Sequence, residues 1–538
     1  MVIDLLAQAS PYGSGSLPIE VLTGGGLAAY GAWRAVRRIR GGRDGQGAEW
    51  ADGRDLKPLR VRGPAPGRIV LGRHQGALIA THERSSCLIA GLTQHAYKTS
   101  GLIIPNVLEW RAPVISTSVK GDVLRATVKR RGEVGKVKVF DPAGMYDGVP
   151  HGTWSPIHAT GGGWRQARKV ADALVQVGVE PSGISSENDR HFRGRSSELL
   201  GPLLLAAYHG PKTMGDVLSW IKHGEFTQPV QLLKRSGVDG YQAAVDNITL
   251  VSSSHDEYKM SVFNTLAQSL AAWQDPSVLH ATNESDITVE WLLGGKGHNT
   301  LYVVGTEEEQ EVLAPLFGAL VAHLIGGLLE HAERQQAGHL DRAVLVALDE
   351  VANTCPVGAL DRYASAGASR GVQLLTAVQN LAQLKLRYGD AKAETILANH
   401  AAKLLCAGLN DPASLQYVEK VVGQQHVTRR SRHAPSGLLA AGGRSTTVAE
   451  QLEPLIPPHQ LREAREATAL LIYGRTPPLW VDLRRYYLDK RLCALASGAA
   501  DAAGARNGNR VTLRSCVARA VSYGHRKWQK GDSNGGAQ

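Results

Sequence analysis

The sequence predicts an α/β protein in which one buried, mostly parallel sheet is interrupted by an all-helical insertion. Short apolar runs bounded by turn residues occur on both sides of the insertion and indicate buried strands. Between residues 164 and 293, amphipathic helical windows replace them. The 538 residues suffice for two to four domains, and 43% hydrophobic with 20% charged residues are globular values. Wholesale disorder and a polytopic membrane protein are therefore not expected.

The charge balance favours polyanionic partners. Lys and Arg outnumber Asp and Glu by 60 to 49, a formal net charge of +11, which is typical of chains that meet DNA or anionic lipid. The five cysteines contain no C-x-x-C pair and have no regular spacing. Neither a disulfide framework nor a structural zinc site is predicted from them.

The N-terminal residues, 1–50, are interpreted as a membrane-proximal segment and linker. The charged n-region and cleavage site of a secretory signal are missing. Leu17 to Trp33 is mostly apolar but contains Glu20, and four arginines follow within residues 34–40. The segment is either a loose helix or surface anchor, or a true membrane span that leaves the rest of the chain in the cytoplasm. Gly41 to Gly67, rich in Gly, Arg, Asp and Pro, has the composition of a linker.

The remaining elements follow in chain order. Strands are predicted at 77–80, 87–90, 113–117, 136–140, 300–304, 343–348, 372–377, 403–407 and 468–473. The domain boundaries that result are 51–163 for the first part of the α/β domain, 164–293 for the all-α domain, 294–492 for the second part and 493–538 for a flexible basic tail. The apolar run Leu313 to Leu329 is interpreted as a buried core helix, preceded by a capping box of Thr306 and Glu309.

A phosphate-binding loop is predicted after the strand at 87–90. Gly91 ends that strand, and Lys98 and Thr99 stand at the start of the next helix, as in loops whose backbone N–H groups cradle phosphate while Lys reaches the outer phosphates and Thr ligates magnesium. The residues predicted to bind the nucleotide are Gly91, Thr93, Gln94, His95, Ala96, Tyr97, Lys98, Thr99 and Ser100. Two features depart from the motif: six residues separate Gly91 from Lys98, where the motif has five, and Tyr97 occupies a position normally held by glycine.

A carboxylate pair is predicted as the partner of this loop. The apolar run 343–348 ends in Asp349 and Glu350, as a buried strand does when it delivers side chains to the carboxyl edge of a sheet. In nucleotide hydrolysis at such a site, the Asp holds magnesium and the Glu polarises the attacking water. The same pattern also ends many structural strands, so the prediction depends on Lys98 and Thr99 being present as well.

Two further residues are candidates for the same site. Gln379 ends the strand at 372–377 and could sense the γ-phosphate, and Arg370 precedes that strand and could serve the site of an adjacent subunit. A structural Gln at a strand end and a surface Arg are the alternatives.

Several runs together resemble the type IV secretion coupling proteins, which are the ATPases of conjugative DNA transfer. They are 98–106, 116–122, 139–142, 348–353, 370–379 and the ending from Pro477 through Tyr487. The resemblance implies a RecA-like P-loop NTPase domain with an inserted all-α domain, ATP and Mg²⁺ as cofactors, and a homo-hexamer at the cytoplasmic face of the cell membrane. Implied partners are single-stranded DNA with its relaxase and the proteins of the secretion channel. It also implies that Lys98 and Thr99 bind phosphate and magnesium, with Asp349, Glu350, Gln379 and Arg370 in the roles given above.

Two alternatives to a DNA-translocating ATPase stay open on the sequence. One is a non-hydrolysing docking protein that has lost turnover through its altered phosphate loop, and the other is a related pump for double-stranded DNA. Basic clusters at residues 125–138 and 429–432 fit either a DNA path or ordinary solvated surfaces. The second cluster is expected in a Ser/Gly-rich loop.

Overall fold

The computed structural model describes residues 47–92, 96–118, 120–177, 187–306, 308–433 and 445–498. The apolar segment Leu17 to Trp33 with its following arginines, the loop residues Thr93, Gln94 and His95, and the chain from residue 499 lie outside the described residues. The expectations made for them stay predictions.

A twelve-stranded mixed sheet organises the larger of two compact units. Its strands are β1 (Arg60–Val61), β2 (Val70–His74), β3 (Ala77–Ala80), β4 (Cys87–Ala90), β5 (Val114–Ser118), β6 (Val137–Phe140), β7 (Thr300–Val304), β8 (Val344–Leu348), β9 (Val372–Val378), β10 (Ala402–Cys406), β13 (Thr468–Tyr473) and β14 (Thr476–Asp482). Their order is β1-β3-β2-β14-β13-β10-β4-β9-β8-β5-β7-β6.

Seven neighbouring strands, from β10 to β6, run parallel. Most of their residues are buried, because helices cover both faces of a parallel sheet and leave little room for alternation of polar and apolar residues. This uniform apolar character made all seven parallel strands recognisable in the sequence. The two other predicted strands, β3 and β13, lie in the antiparallel part, and all nine are present with ends shifted by at most about one residue. The parallel centre of the sheet could therefore be predicted from the sequence.

The antiparallel extension of the sheet was mostly missed. Strands β1, β2 and β14 were not predicted, and β1 lies within the expected linker Gly41 to Gly67. That interpretation is wrong for its second half, because Leu56 and Leu59 are each only 1% exposed and belong to the core of the sheet. Two leucines in a Gly- and Arg-rich stretch are a weak periodic signal, although they bury as much surface as any core residue.

The helices are α1 (Ile104–Glu109), α2 (Asp122–Val134), α3 (Trp164–Val177), α4 (Glu187–His209), α5 (Met214–His223), α6 (Thr227–Ser236), α7 (Tyr241–Ser252), α8 (Asp256–Ser269), α9 (Pro276–Ala281), α10 (Val289–Leu293), α11 (Gln310–Arg334), α12 (Leu360–Ala366), α13 (Leu381–Tyr388), α14 (Asp390–Asn399), α15 (Pro412–Val422), α16 (Pro458–Arg462) and α17 (Lys490–Ala496). Helices α3 to α10 lie between β6 and β7, where the described residues contain no strand. Among the described residues, the helices between these two strands extend from Trp164 to Leu293.

Helix α11 contains the apolar run Leu313 to Leu329 that was predicted to form a buried helix. It is the one helix among the described residues that is long and apolar enough to cross a membrane, yet 78% of its most apolar window is buried inside the protein. Just before it, the Thr306 hydroxyl accepts from the Glu309 N–H (3.2 Å) and donates to the Glu309 carboxylate (2.8 Å). The predicted capping box is thus only half present, because the carboxylate meets the hydroxyl and the helix begins after Glu309 without a side-chain cap. Burial identifies a core helix.

The smaller unit contains a two-stranded ribbon formed by β11 (Gln424–His433) and β12 (Ser445–Pro454). The expectation of a loop around Arg429 is therefore wrong, because this polar stretch pairs as a strand. Arg429 donates from Nε to Glu453 Oε1 (2.9 Å), an ion pair within the ribbon. The side chains of Arg430 and Arg432 lie outside what the structure describes.

One smaller expectation also needs correction. Helix α17 extends to Ala496 with Leu492 and Leu495 buried, so helical structure continues past residue 493, where the tail was predicted to start. Cys87, Cys355 and Cys406 are free and buried.

Candidate nucleotide-binding site

The candidate site lies at the carboxyl ends of β4 and β8, which are separated by β9 alone. The chain leaves β4 into the phosphate loop and leaves β8 into the acidic pair. Thr99 Oγ1 donates a hydrogen bond of 2.7 Å to Asp349 Oδ2, although 250 residues separate them in sequence. Parallel strands present their carboxyl ends at one edge of the sheet, so two motifs far apart in sequence meet there.

Gly91 and Lys98 close the phosphate loop on itself. The Lys98 ammonium donates to the carbonyl of Gly91 (2.6 Å), and the Gly91 N–H donates to the carbonyl of Val378 at the end of β9 (3.2 Å). A Cβ on residue 91 would lie 2.8 Å from both Ala96 Cβ and Cys406 Sγ. Only glycine fits at this point, which supports its assignment to the loop independently of the motif.

Burial shifts the acid–base behaviour of the charged pair. Desolvation raises the pKa of Asp349 to about 6, and the hydrogen bond from Thr99 opposes that shift only in part. Desolvation likewise lowers the pKa of Lys98, against the attraction of Asp349 and Glu350. Two ionisable groups buried together at a strand edge are typical of a functional site.

Tyr97 adopts the backbone conformation that a glycine would provide. Its φ of 54° is left-handed, which costs a non-glycine residue about 1–2 kcal/mol. The phenol donates to Glu466 Oε1 at 2.7 Å, and the Arg485 guanidinium lies 4.9 Å from the ring centre. The hydrogen bond to Glu466 is the main reason why the pKa of Tyr97 is raised. The substitution of glycine by tyrosine therefore preserves the loop conformation at this position.

The helix that follows the loop begins with a wide turn. Residues Thr99–Ile103 form one π-helical turn that continues into α1, and the Gly101 N–H donates to the carbonyl of Tyr97 at 2.7 Å. The Ser100 carbonyl accepts from the N–H of Tyr486 at 3.0 Å. Single π-turns often mark functional sites. This one follows the irregular loop directly, and the backbone hydrogen bonds on either side of Lys98 are present.

Glu350 is the second residue of the site with a left-handed backbone, at φ 48°. Its carbonyl accepts from the N–H groups of Asn353 (2.9 Å) and Thr354 (3.0 Å), so the strain is held by a tight turn directly after β8. Strained non-glycine residues persist where the surroundings fix them, and they cluster at active sites. As a result, the two adjacent carboxylates have different environments: Asp349 is buried and Glu350 is partly exposed.

Gln379 lies directly after β9, whose last carbonyl accepts from Gly91. Its N–H donates to Gln383 Oε1 (3.2 Å), and Gln383 Nε2 donates to Asn353 Oδ1 (2.8 Å). This chain of bonds connects the end of β9 with the turn that carries Glu350. Sequence reasoning missed Gln383, which sits on α13 without any motif of its own.

Arg370 is not brought to the site of its own subunit. It precedes β9 at the opposite edge of the sheet and forms an ion pair with Glu333 (2.7 Å) at the end of α11. A role in this chain's own nucleotide site is therefore contradicted by topology. A role in the site of another copy stays a prediction.

Four residues that the sequence did not single out surround the predicted ones. Lys120 and Asp122 contribute to the pKa shifts of Lys98 and Asp349, which places them close to the pair. Glu466 and Arg485 contact Tyr97. Lys120, Asp122 and Arg485 belong to runs that carry the family resemblance, at 116–122 and 477–487, and could have been found there. Nothing in the sequence around Glu466 indicates its contact.

The donor set suits magnesium and phosphate. Asp349 Oδ1 is buried without a hydrogen-bond partner, and a buried orphan oxygen next to a threonine hydroxyl fits a hard cation. No cluster of three His, Cys, Asp or Glu that could hold a metal occurs among the described residues. Magnesium requires none, because it binds through one or two protein oxygens together with phosphate and water. Thr99 and Asp349 would hold it, and Lys98 would meet phosphate oxygens.

Comparison with known proteins places this site in a family context. A family model described as type IV secretory system conjugative DNA transfer matches residues 66–510. The chain belongs to this family. Members similar to it include protein VirD4 of Agrobacterium fabrum, with 24% identity over 80% of this chain and 63% of VirD4. Conjugal transfer protein TraG of Escherichia coli is 24% identical over 68% of this chain and 59% of TraG. The chain thus spans about three-fifths of the length of these relatives.

Solved structures show the same fold. The bacterial conjugative coupling protein TrwBdeltaN70 superposes with a TM-score of 0.61 at 17% identity, covering 82% of this chain and 94% of that one. Plasmid coupling protein TrwB in complex with ADP and Mg²⁺ superposes with a TM-score of 0.59 at 18% identity, covering 82% and 93%. The predicted RecA-like P-loop NTPase fold with an inserted all-α domain is confirmed.

Proposed function

We propose that this member of the conjugative DNA transfer family is a coupling ATPase that moves single-stranded DNA with its relaxase to a type IV secretion channel. The observation that carries the proposal is the meeting of Lys98, Thr99 and Asp349 at one sheet edge, with the 2.7 Å bond between Thr99 and Asp349. Family membership and the ADP and Mg²⁺ bound to TrwB support ATP and Mg²⁺ as the cofactors.

Each residue has a stated task in this proposal. Lys98 neutralises phosphate charge, and Thr99 and Asp349 hold magnesium, which when bound would offset the charge that develops on the phosphates. Glu350 orients a water molecule for attack, which requires its partly exposed position beside the buried Asp349. Gln379 couples the phosphate loop to the turn that carries Glu350, through the hydrogen bonds that connect it with Gln383 and Asn353.

The test is ATP turnover by the full chain with and without single-stranded DNA. We expect turnover that single-stranded DNA stimulates more than duplex DNA does. Glu350→Gln should reduce it by about a hundredfold or more, the usual scale for a missing general base, without weakening nucleotide binding. Glu394→Gln on the exposed face of α14 is the matched control and should leave turnover unchanged.

Two other outcomes separate the alternatives. Tight binding of Mg–ATP with no turnover would favour a docking protein, a candidate that Tyr97 and the extra loop residue specifically motivate. Stronger stimulation by duplex DNA than by single strands would favour a double-stranded DNA pump. Absence of binding at millimolar Mg–ATP, with DNA present, would contradict the nucleotide site altogether.

The proposed location is the cytoplasmic face of the cell membrane, and the proposed assembly is a homo-hexamer. Both rest on the family resemblance, and the membrane contact rests on the N-terminal sequence. Glu20 and three glycines oppose insertion while the following arginines favour anionic lipid. We expect washing with concentrated salt to release much of the protein from membranes, whereas resistance to salt and carbonate would show an integral helix.

A further inference from the structure

The side chain of Tyr97 is fixed by residues from the far end of the chain. Glu466, which accepts its phenol hydrogen bond, is 369 residues away in sequence and lies just before β13. Arg485, which lies over the ring, follows β14. We call these three residues the Tyr97 anchor.

The anchor acts where the phosphate loop is most demanding. Glycine adopts a left-handed backbone freely, whereas a bulky residue does so only when its surroundings impose it. Tyr97 is joined directly to Lys98, and its carbonyl accepts from the Gly101 N–H (2.7 Å) in the first turn of the following helix. A change of the Tyr97 backbone would therefore redirect both Lys98 and the N–H groups of that turn.

We propose that Glu466 and Arg485 are positioning residues for nucleotide binding, because they hold Tyr97 in the conformation that a regular phosphate loop obtains from glycine. The identity of the ligand rests on the proposed function. The effect of the Tyr97 anchor on the conformation of the loop is independent of that function. Both contacts are directional: a phenol–carboxylate hydrogen bond fixes the tilt of the ring, and an arginine over its face fixes the rotation. Burial of the ring against the sheet alone would leave either free.

The first experiment measures the loop without nucleotide. Amide hydrogen exchange of the peptide spanning residues 96–104 is compared in the full-length protein, in Tyr97→Phe and in Glu466→Ala. Both variants should exchange at least about threefold faster there, because the hydrogen bond that limits local opening is gone. Glu463→Ala removes a neighbouring carboxylate that pairs with Arg462 instead, and it should leave this peptide unchanged.

The second experiment measures affinity for Mg–ADP in a double-mutant cycle. Glu466→Ala should weaken binding about fivefold in the wild-type background, a normal coupling for contacting residues. In the Tyr97→Gly background the same substitution should change the affinity by less than about twofold, because glycine needs no anchor. Arg485→Gln should follow the same pattern.

The outcomes are distinguishable. An equal loss of affinity from Glu466→Ala in both backgrounds, or an unchanged exchange rate, would overturn the anchor. Weaker binding by Tyr97→Gly than by wild type would also contradict it. Faster exchange in the variants combined with no Mg–ADP binding by the wild type would instead reject the proposed function and leave the control of the loop by the anchor supported.

Discussion

Lys98 and Asp349 carry opposite charges in a region that water barely reaches, with 4% and 7% of their surfaces exposed. Burial shifts the pKa of each toward its neutral form, and their mutual attraction opposes both shifts. Burying two such charges destabilises the protein without ligand, whereas bound phosphate and a cation would interact favourably with them. Its contribution is therefore best measured through ligand binding.

For Lys98 the expected change is in nucleotide affinity. Lys98→Ala removes a charge-assisted phosphate contact worth roughly 1.5–3 kcal/mol, so binding of Mg–ATP should weaken about tenfold or more. Calorimetric titration measures this, with Lys222→Ala on the exposed end of α5 as the control for loss of a positive charge. An unchanged affinity in Lys98→Ala would remove the loop from the site.

For Asp349 the expected change is in pH dependence. Magnesium binds the ionised carboxylate, which is the form above a pKa of about 6 in the folded protein. The magnesium-dependent part of nucleotide affinity should therefore fall about tenfold from pH 7 to pH 5, and Asp349→Asn should flatten the profile. The stability effect has the opposite sign: the contribution from protonated Asp349 is fully present below the ordinary carboxyl pKa and is lost as pH rises through 6.

At the scale of elements, one buried arginine connects α2 with the strands around it. Arg131 is fully buried and donates to Thr300 Oγ1 (2.6 Å) and to the carbonyls of Ala112 (2.8 Å), His298 (2.9 Å) and Trp110. The basic cluster at 125–138 is thus partly structural, and for Arg131 the DNA-path alternative is wrong. Charge density in sequence did not reveal which of its members face inward.

Replacing this arginine should affect stability and not DNA binding. Arg131→Leu leaves several buried carbonyls without a donor, at about 1–3 kcal/mol each, so we expect a loss of about 3 kcal/mol or more in the free energy of unfolding. Chemical denaturation measures it, and Lys129→Leu on the exposed side of α2 serves as the matched control. A selective loss of DNA affinity in Arg131→Leu, at unchanged stability, would restore the binding interpretation.

The parallel strands and the motifs at their carboxyl ends could be predicted, because uniform burial leaves a continuous apolar run and the chemistry follows at a fixed place. The run before Asp349 is such a case. Three antiparallel elements could not be predicted: β1 has two residues, β14 begins with Thr476 followed by two prolines, and β11 has no apolar alternation. Beyond its hairpin with β13, β14 pairs with β2 near Arg73, a partner that no local pattern indicates. The same holds for Glu466, whose role exists only through its tertiary contact with Tyr97.

At the scale of the whole molecule, Arg370 is the residue whose position points beyond one subunit. It lies at the amino edge of the sheet, while Lys98 and Asp349 lie at the carboxyl edge. A ring could bring the two edges of neighbouring copies together, as in ATPases whose arginine acts in trans.

Mixing variants tests this arrangement. Arg370→Ala and Glu350→Gln subunits should each lack turnover, and a mixture of the two should regain part of it, because some interfaces then combine an intact Glu350 with an intact Arg370. Glu333→Gln removes only the partner of Arg370 within its own subunit and should retain most of the turnover. Mixed rings that assemble but stay as inactive as either parent would show that Arg370 does not act across subunits.

The position of β13 and β14 has a consequence for how the protein is made. These strands come late in the chain, yet β13 pairs with β10, the neighbour of β4, and Glu466 reaches back over 369 residues to the phosphate loop. At a synthesis rate of 5–20 residues per second, the ribosome needs roughly 20 to 75 s between these two points. A polypeptide cut short after Asp349 and before Glu466 would contain Lys98, Thr99 and Asp349 but not the residues that hold Tyr97 in place. Competence to bind nucleotide tightly should therefore appear only after Glu466 and Arg485 have been synthesised and have folded against the loop.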